Sequence, residues 1–336
     1  MGDSHLSTIF VTEQGALLKK SGRRILITKD KKVILERHFS DVARILLFGN
    51  IQLSTQLISS VLQEGIDVSF FSMFGKYKGR LVGQNSKNIY TKLSQLTYWN
   101  DKEFSLSLAK ETIAYKILGQ QKVLMKRRNG INITDSPIAD SIKKLQKYRE
   151  EVFKQTDLSK LRGVEGISSK NYFSCWDYIL PEEFPFEKRS RRPALNEVNS
   201  VLNFSYTLLL NEITGILNSY GFDVLFGYYH SLKYGRISLT LDVMELFRPI
   251  LIDQWVIQMF RERKLTKNIF SNNEENGIRF TNEGLKMFLA QYQKWINQIE
   301  ANKLIEIYVK GLEKSYMEGK VDGIKQGAEK VLPYLL

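Results

Sequence analysis

The first quarter of the chain alternates apolar and polar positions with a period of two. Ser7–Thr12, Ala16–Lys20, Arg24–Thr28 and Lys32–Arg37 are short and rich in β-branched or long apolar residues. Turn signals separate them: Gly15, then Ser21 and Gly22, then Lys29 to Lys31. This spacing predicts hairpins in a small antiparallel sheet. Val42–Leu47 reads as a further strand. Ser54–Gln63 switches to helical spacing through Leu57, Ile58, Val61 and Leu62, and stops at Gly65. Asp67–Ser72 and Gly79–Val82 complete a compact β-rich unit over residues 1–83. The stretch from Gly83 to Ser86 is polar and glycine-led, so residues 84–92 read as a linker.

Beyond Leu93 the period changes to that of a helix. Helices are predicted at Leu106–Lys126, Ser141–Val152, Leu195–Ser219, Leu239–Phe247, Leu251–Arg261 and Leu285–Val309, and strand-like alternation is scarce. Leu195–Ser219 has Pro193 just before it and Gly221 just after, the expected asymmetry of helix ends. It is apolar over much of its surface, which predicts a central buried helix. Met317–Leu336 contains three glycines and reads as a weak helix or tail. The expected fold class is α+β with two domains: a β domain at 1–83 and a larger all-α domain at 93–336. No repeat of fixed period is visible.

Composition adds a partner. A hydrophobic fraction of 43%, with 16 Tyr and 19 Phe, is ample for a packed core and argues against global disorder. Lys and Arg total 49 against 36 Asp and Glu, a net charge of +13. Such an excess favours a polyanion, most commonly nucleic acid. Four basic clusters fall in the helical part: Lys122, Lys126, Arg127 and Arg128; Lys143, Lys144 and Lys147; Lys188, Arg189, Arg191 and Arg192; Arg261, Arg263, Lys264 and Lys267. Any one of them is explained as well by a solvated helix face. Four in one domain strengthen the reading as phosphate contacts, with Lys126, Arg127, Arg191 and Arg192 as candidates. Cys175 is the only cysteine, so an internal disulfide and a thiolate zinc site within one chain are excluded. This suits a reducing cytoplasm. Met1–Phe10 lacks the pattern of a secretory signal, and no apolar run is long enough to cross a bilayer, so no membrane association is expected. Met1 to His5 reads as a frayed start.

Candidate chemistry is confined to three islands. His230, one of three histidines, sits in a stretch from Gly227 through Tyr228 and Tyr229 to Arg236. A lone histidine beside aromatics is ordinarily a hydrogen-bonded structural residue. A few residues on, Asp242 and Glu245 lie three apart in a predicted helix, on one face and beside an apolar stripe. Acids near a helix start also serve the helix dipole. Pro249, after Arg248, is expected to end that helix. The third island is Gly163, Val164, Glu165 and Gly166, where a carboxylate between glycines reads as a turn, or as backbone able to aim Glu165 into a cleft. One imidazole with two or three carboxylates suits Mg²⁺ or Mn²⁺, and the imidazole favours Mn²⁺. There is no phosphate-binding loop for ATP and no Gly-x-Ser-x-Gly elbow.

In this order the islands resemble the universal CRISPR-associated endonuclease and integrase of spacer acquisition. The family's Gly-x-Glu-Gly element is matched by Gly163 to Gly166. Its His-x(4)-Gly-Arg-x-Ser-Leu segment is matched by His230 to Leu239, and its Leu-Asp-x-Met-Glu-x-Phe-Arg-Pro segment by Leu241 to Pro249. Arg192, Pro193 and Asn199 also fit, as does the run Leu108, Ala109 and Lys110. Arg191 to Glu197 departs from the family's proline- and aspartate-rich version, and nothing after residue 310 matches. The resemblance implies an N-terminal β-sandwich used for dimerisation and a helical catalytic domain. It further implies metal ligands at Glu165, His230 and Glu245, with Asp242 beside them as a further carboxylate or outer partner. The implied partners are double-stranded DNA, as fragment and repeat array, a second copy of the chain, and a small ferredoxin-like adaptation protein. The implied reaction is insertion of a short duplex by transesterification, with Arg236 and Arg248 as candidate phosphate contacts, although Arg248 can instead pair with Glu245. The competing readings are a non-catalytic DNA-binding scaffold and a metal-dependent repair nuclease.

Overall fold

A computed structural model describes residues 7–83, 88–128, 137–191, 193–273 and 277–334. The fold is α+β, and the chain divides into two units. Residues 7–83 and 280–297 form one; residues 88–279 and 298–334 form the other.

The first unit holds β1 (Ser7–Val11), β2 (Leu17–Ser21), β3 (Arg24–Lys29), β4 (Lys32–His38), β5 (Val42–Phe48), β6 (Gln52–Leu53), α1 (Thr55–Gln63), β7 (Asp67–Phe71) and β8 (Tyr77–Arg80). They form two four-stranded sheets, ordered β1-β5-β7-β8 and β4-β3-β2-β6. Two-residue turns set the β2-β3-β4 meander. Gly22 enters the left-handed region at φ 57°, and Asp30 and Lys31 both do at φ 48° and 64°, the mirror-image turns that match strand twist. The antiparallel expectation holds only for this meander and for β7–β8. The pairs β1–β5, β5–β7 and β2–β6 are parallel. The chain leaves β1 for the other sheet before returning as β5, and α1 lies in the crossover from β5 to β7, so these neighbours run the same way. Ile9, Val11, Leu18, Ile25, Ile27, Ile45, Leu47, Val61 and Val68 share one core. Leu46 and Phe48 are buried as well, so β5 is covered on both faces, as its nearly unbroken apolar run requires. From late in the chain, α9 (Asn282–Gln298) joins this unit: Lys286 pairs with Glu13.

The second unit is helical: α2 (Ile89–Trp99), α3 (Lys102–Arg128), α4 (Pro137–Lys154), α5 (Leu158–Phe173), α6 (Glu197–Ser219), α7 (Ser238–Phe247), α8 (Gln254–Arg261), α10 (Ala301–Glu318) and α11 (Asp322–Val331), with a short pair β9 (Phe270–Asn273) and β10 (Gly277–Phe280). As its apolar surface predicts, α6 is buried nearly all round, and Asn196 caps its start. α3 packs against α4, α5 and α7.

Three local expectations are corrected. Pro249 does not end a helix. Arg248–Asp253 widens to a π-helical stretch, with the Gln254 N–H reaching Pro249 O, and runs on into α8. The wider winding accommodates the missing proline N–H and the ring. The Gly163–Gly166 element is helical, inside α5, whose start is capped by Asp157 accepting from Lys160 N at 2.9 Å. The predicted helix Leu285–Val309 is two, α9 and α10, broken where Glu300 turns left-handed at φ 49°. Of the two readings of the C-terminal stretch, a weak helix or a tail, the helix holds: α11 buries Ile324, Ala328 and Val331. Its glycines allow contact with α10, since a Cβ on Gly323 would stand 2.4 Å from Gly311 O. Among the described residues no helix is long and apolar enough to cross a membrane.

Candidate active site

Helices α3, α5, α6 and α7 and the loops before α6 and α7, all in the second unit, converge on a cavity of about 580 Å³. α3 brings Lys116 and Gln120, α5 brings Glu165 and Ser169, and α7 with its π-helical extension brings Glu245 and Arg248. The loop before α7 brings Tyr229 and His230. Gly119 makes this approach possible. A Cβ there would lie 2.8 Å from the Pro249 ring and 2.9 Å from Ile250, so α3 seats directly on the π-helical stretch.

The carboxylates share one cation. Lys116 Nζ hydrogen-bonds Glu165 Oε1 and lies 2.6 Å from Glu245 Oε2, with its side chain only 6% exposed. Burial works against the ammonium, but Glu165 and Glu245 outweigh it and raise its pKa. Burial likewise opposes ionisation of Glu245, yet Arg248, Lys116 and His230 hold its carboxyl down to about 2. Arg248 Nη2 stands 3.5 Å from Glu245 Oε1 and its guanidinium lies 4.9 Å from the Tyr206 ring centre. Ser169 Oγ donates to Glu165 Oε1 at 2.9 Å.

His230 is oriented from behind. Asp242 is fully buried and accepts the backbone N–H groups of Tyr228 and Tyr229 on Oδ2, at 2.7 and 2.9 Å. Its Oδ1 accepts His230 N at 2.9 Å and faces Nδ1 of the same ring at 2.6 Å. Burial pushes the Asp242 carboxyl up, against these hydrogen bonds. A carboxylate so placed puts the ring proton on Nδ1 and leaves the Nε2 lone pair for a ligand. Gly227 lets the loop pass: a Cβ there would lie 2.5 Å from Asp242 Oδ2. Arg162 fixes the other side, donating to Tyr229 O at 2.5 Å and stacking on its ring.

Glu165, His230 and Glu245 therefore line one cavity, while Asp242 sits behind it as His230's anchor. Among the described residues no three His, Cys, Asp or Glu side chains form a ready coordination shell, since Lys116 stands between the two carboxylates. The donor chemistry nonetheless fits a hard divalent cation: two carboxylates that already need a positive charge, and one imidazole with a free ring nitrogen. Of the candidate phosphate contacts, Arg191 and Arg248 line the cavity. Arg236 is half-buried in the loop after His230 and not in the cavity wall, and Lys126 is exposed at the end of α3. Arg192 and the side chain of Arg127 lie outside the described residues.

Sequence reasoning missed Lys116, Arg162, Tyr206 and Asp253, all of which line the cavity, as does Arg189 of the third basic cluster. Arg189 is held by Asn199 and Asn203, each at 2.8 Å, and lies 5.4 Å from the Tyr206 ring centre. Tyr206 donates to buried Asp253. A signal for Lys116 was present: Thr112, Lys116 and Gln120 form a polar i, i+4 stripe in a helix that is otherwise apolar there.

Fold and site together define a two-unit protein with an acid–imidazole centre in an arginine-lined cavity. Residues 9–294 match the model of the CRISPR associated protein Cas1 family, and the chain belongs to that family. It is 31% identical over 299 residues to the CRISPR-associated endonuclease Cas1 3 of Thermus thermophilus, covering 88% of this chain and 87% of that one. Among solved structures, the fold is similar to a casposase bound to integration product (TM-score 0.78, 23% identity, 95% of this chain and 93% of that chain). It is also similar to a chain of a Cas6-RT-Cas1–Cas2 complex (TM-score 0.81, 20% identity, 97% of this chain and 36% of that chain).

Proposed function

We propose that the chain is a divalent-metal-dependent DNA integrase and endonuclease that inserts short duplex fragments into a CRISPR repeat array by transesterification. The observation that carries this reading is the meeting of Glu165, Glu245 and an Nδ1-anchored His230 in one cavity flanked by Arg189, Arg191 and Arg248. Glu165 and Glu245 oxygens and His230 Nε2 would hold Mg²⁺ or Mn²⁺. When bound, such an ion lowers the pKa of a hydroxyl nucleophile and neutralises charge growing on the non-bridging phosphate oxygens. The protein's own groups do the rest. The arginines grip the flanking phosphates and hold the scissile one in line. Asp242 keeps the imidazole in its ligating tautomer. Gly163 and Gly166 keep α5 bare beside Glu165, where a Cβ would meet nothing, which leaves room for a nucleic-acid backbone. A fragment's 3′-hydroxyl attacks the repeat phosphorus, and as the new P–O bond forms the bond to the repeat strand's 3′-oxygen breaks, that oxygen leaving as a hydroxyl while the nucleophile gives up its proton; in the nuclease mode water takes the attacking hydroxyl's place.

The working assembly in this reading is a homodimer with a small ferredoxin-like adaptation protein, in keeping with the family's presence in a Cas1–Cas2 complex. The test is strand transfer by the purified chain, with and without its partner, from a duplex bearing free 3′-hydroxyls into a repeat-containing plasmid. Joined product that needs Mg²⁺ or Mn²⁺ and vanishes in Glu165→Ala and His230→Ala supports the reading. Product retained in both variants would mean a scaffold whose chemistry lies elsewhere, and nicking without joining would mean a nuclease only.

A further inference from the structure

We propose that Lys116 is a built-in counterion of the metal centre: it holds Glu165 and Glu245 together in the metal-free protein and must give up both before a divalent ion binds. The inference rests on the reading of Glu165, His230 and Glu245 as ligands. Lys116 Nζ contacts one oxygen from each acid, and the two acids come from different helices 80 residues apart in sequence. Among the described residues no other ion pair bridges the two acids: Arg248 pairs with Glu245, through its other oxygen, at 3.5 Å. The ammonium lies against one oxygen of each acid, Oε1 of Glu165 and Oε2 of Glu245, where a metal held by both would have to sit. Two buried carboxylates without a cation would repel each other in a medium that screens weakly. A buried ammonium stripped of its partners is equally unfavourable, so ion and ammonium compete for one electrostatic well.

The structure also offers the displaced ammonium a destination. Gln120 lies one helical turn from Lys116 and lines the same cavity. Its Nε2 donates to Ser169 Oγ at 3.4 Å, while its Oε1 is buried without a hydrogen-bond partner. A buried amide oxygen left unpaired is costly. Rotation of the Lys116 side chain toward Gln120 Oε1 would satisfy that acceptor and free both carboxylates. Lys116 thereby sets metal affinity, and Gln120 lowers the cost of the exchange.

The experiment is Mn²⁺ titration of the full chain, followed by electron paramagnetic resonance and by calorimetry, in the wild type, Lys116→Met, Gln120→Leu, the double variant and Glu245→Gln. The expected result is roughly tenfold or greater tightening in Lys116→Met, from loss of a competing charge in contact with both carboxylates. Gln120→Leu weakens binding in the wild-type background and has no effect in the Lys116→Met background. In EDTA, Lys116→Met melts below the wild type, and Mn²⁺ raises its melting temperature by more. Should Lys116→Met fail to fold without metal, Lys116→Met/Glu165→Gln, which removes one charge of each sign, must regain the wild-type melting temperature. Wild-type binding with equal or weaker affinity in Lys116→Met overturns the counterion role alone. Wild-type binding that survives Glu245→Gln, or no binding at all, overturns the ligand assignment beneath it.

Discussion

Asp242 offers the cavity no lone pair: three backbone N–H groups and the His230 ring use its carboxylate in full. Its effect on chemistry passes through the imidazole. Asp242→Asn should therefore weaken Mn²⁺ affinity by about 10–100-fold while leaving the acids in place, measured by metal titration. Asp253 supplies a pH signature. Burial pushes its carboxyl up to about 6, against Tyr206, Arg189 and Tyr172, from an ordinary value of 3.8. A raised folded value means the native state holds the proton more tightly. Its stabilising contribution is complete below 3.8 and is lost as pH rises through about 6. Asp253→Asn should thus gain stability relative to the wild type between pH 4 and pH 7, read as the difference in urea midpoints; a pH-independent difference contradicts the assignment. His230, Asp242, Glu245 and Glu165 stood out in the sequence as candidates beside apolar runs, and the resemblance to the family's motifs singled them out; the fold brings His230, Glu245 and Glu165 to one cavity. Lys116 carried only the weak signal of its polar stripe, because a lysine in a helix is ordinarily solvated. Only the packing of α3 between α5 and α7 makes it a buried cation.

At the scale of elements, glycines set how closely helices and loops approach the site. Gly119→Ala would drive a methyl into Pro249 and Ile250. It should cost about 1–3 kcal/mol in denaturant unfolding and depress strand transfer further, because Arg248 and Glu245 move with that stretch. Gly227→Ala meets Asp242 Oδ2 and Ser238 and should unseat the His230 loop, lowering Mn²⁺ affinity more than stability. Strong periodicity made α6 and α7 readable to within a residue or two at their ends. The failures share a cause. Pro249 and the pair Gly163 and Gly166 carry local penalties of about 1–3 kcal/mol against an α-helix. Tertiary packing overrode them, through the π-helical widening at one place and the burial of Leu161, Ser168 and Tyr172 at the other. Parallel pairing of β1, β5 and β7 was likewise illegible, since register between distant strands is fixed by topology and not by local turns.

At the scale of the molecule, the first unit is discontinuous in sequence. Its strands end by residue 83, yet α9 belongs to it, with Leu285, Phe288, Leu289 and Tyr292 buried. A fragment of residues 1–83 should be poorly soluble, and supplying residues 280–297 on a linker should restore a cooperative melt. A positive charge of +13 predicts DNA binding that weakens steeply with salt, and Arg189→Gln should make the slope of log affinity against log salt shallower by about 0.9. The central claim, that Glu165, His230 and Glu245 close on a divalent ion, is tested most directly by anomalous diffraction from crystals grown with Mn²⁺. One strong peak at about 2.1 Å from oxygens of both glutamates and from His230 Nε2, with Lys116 withdrawn from between them, is the expected result. Density showing Lys116 still bridging the two acids, with manganese absent or bound elsewhere, would contradict it.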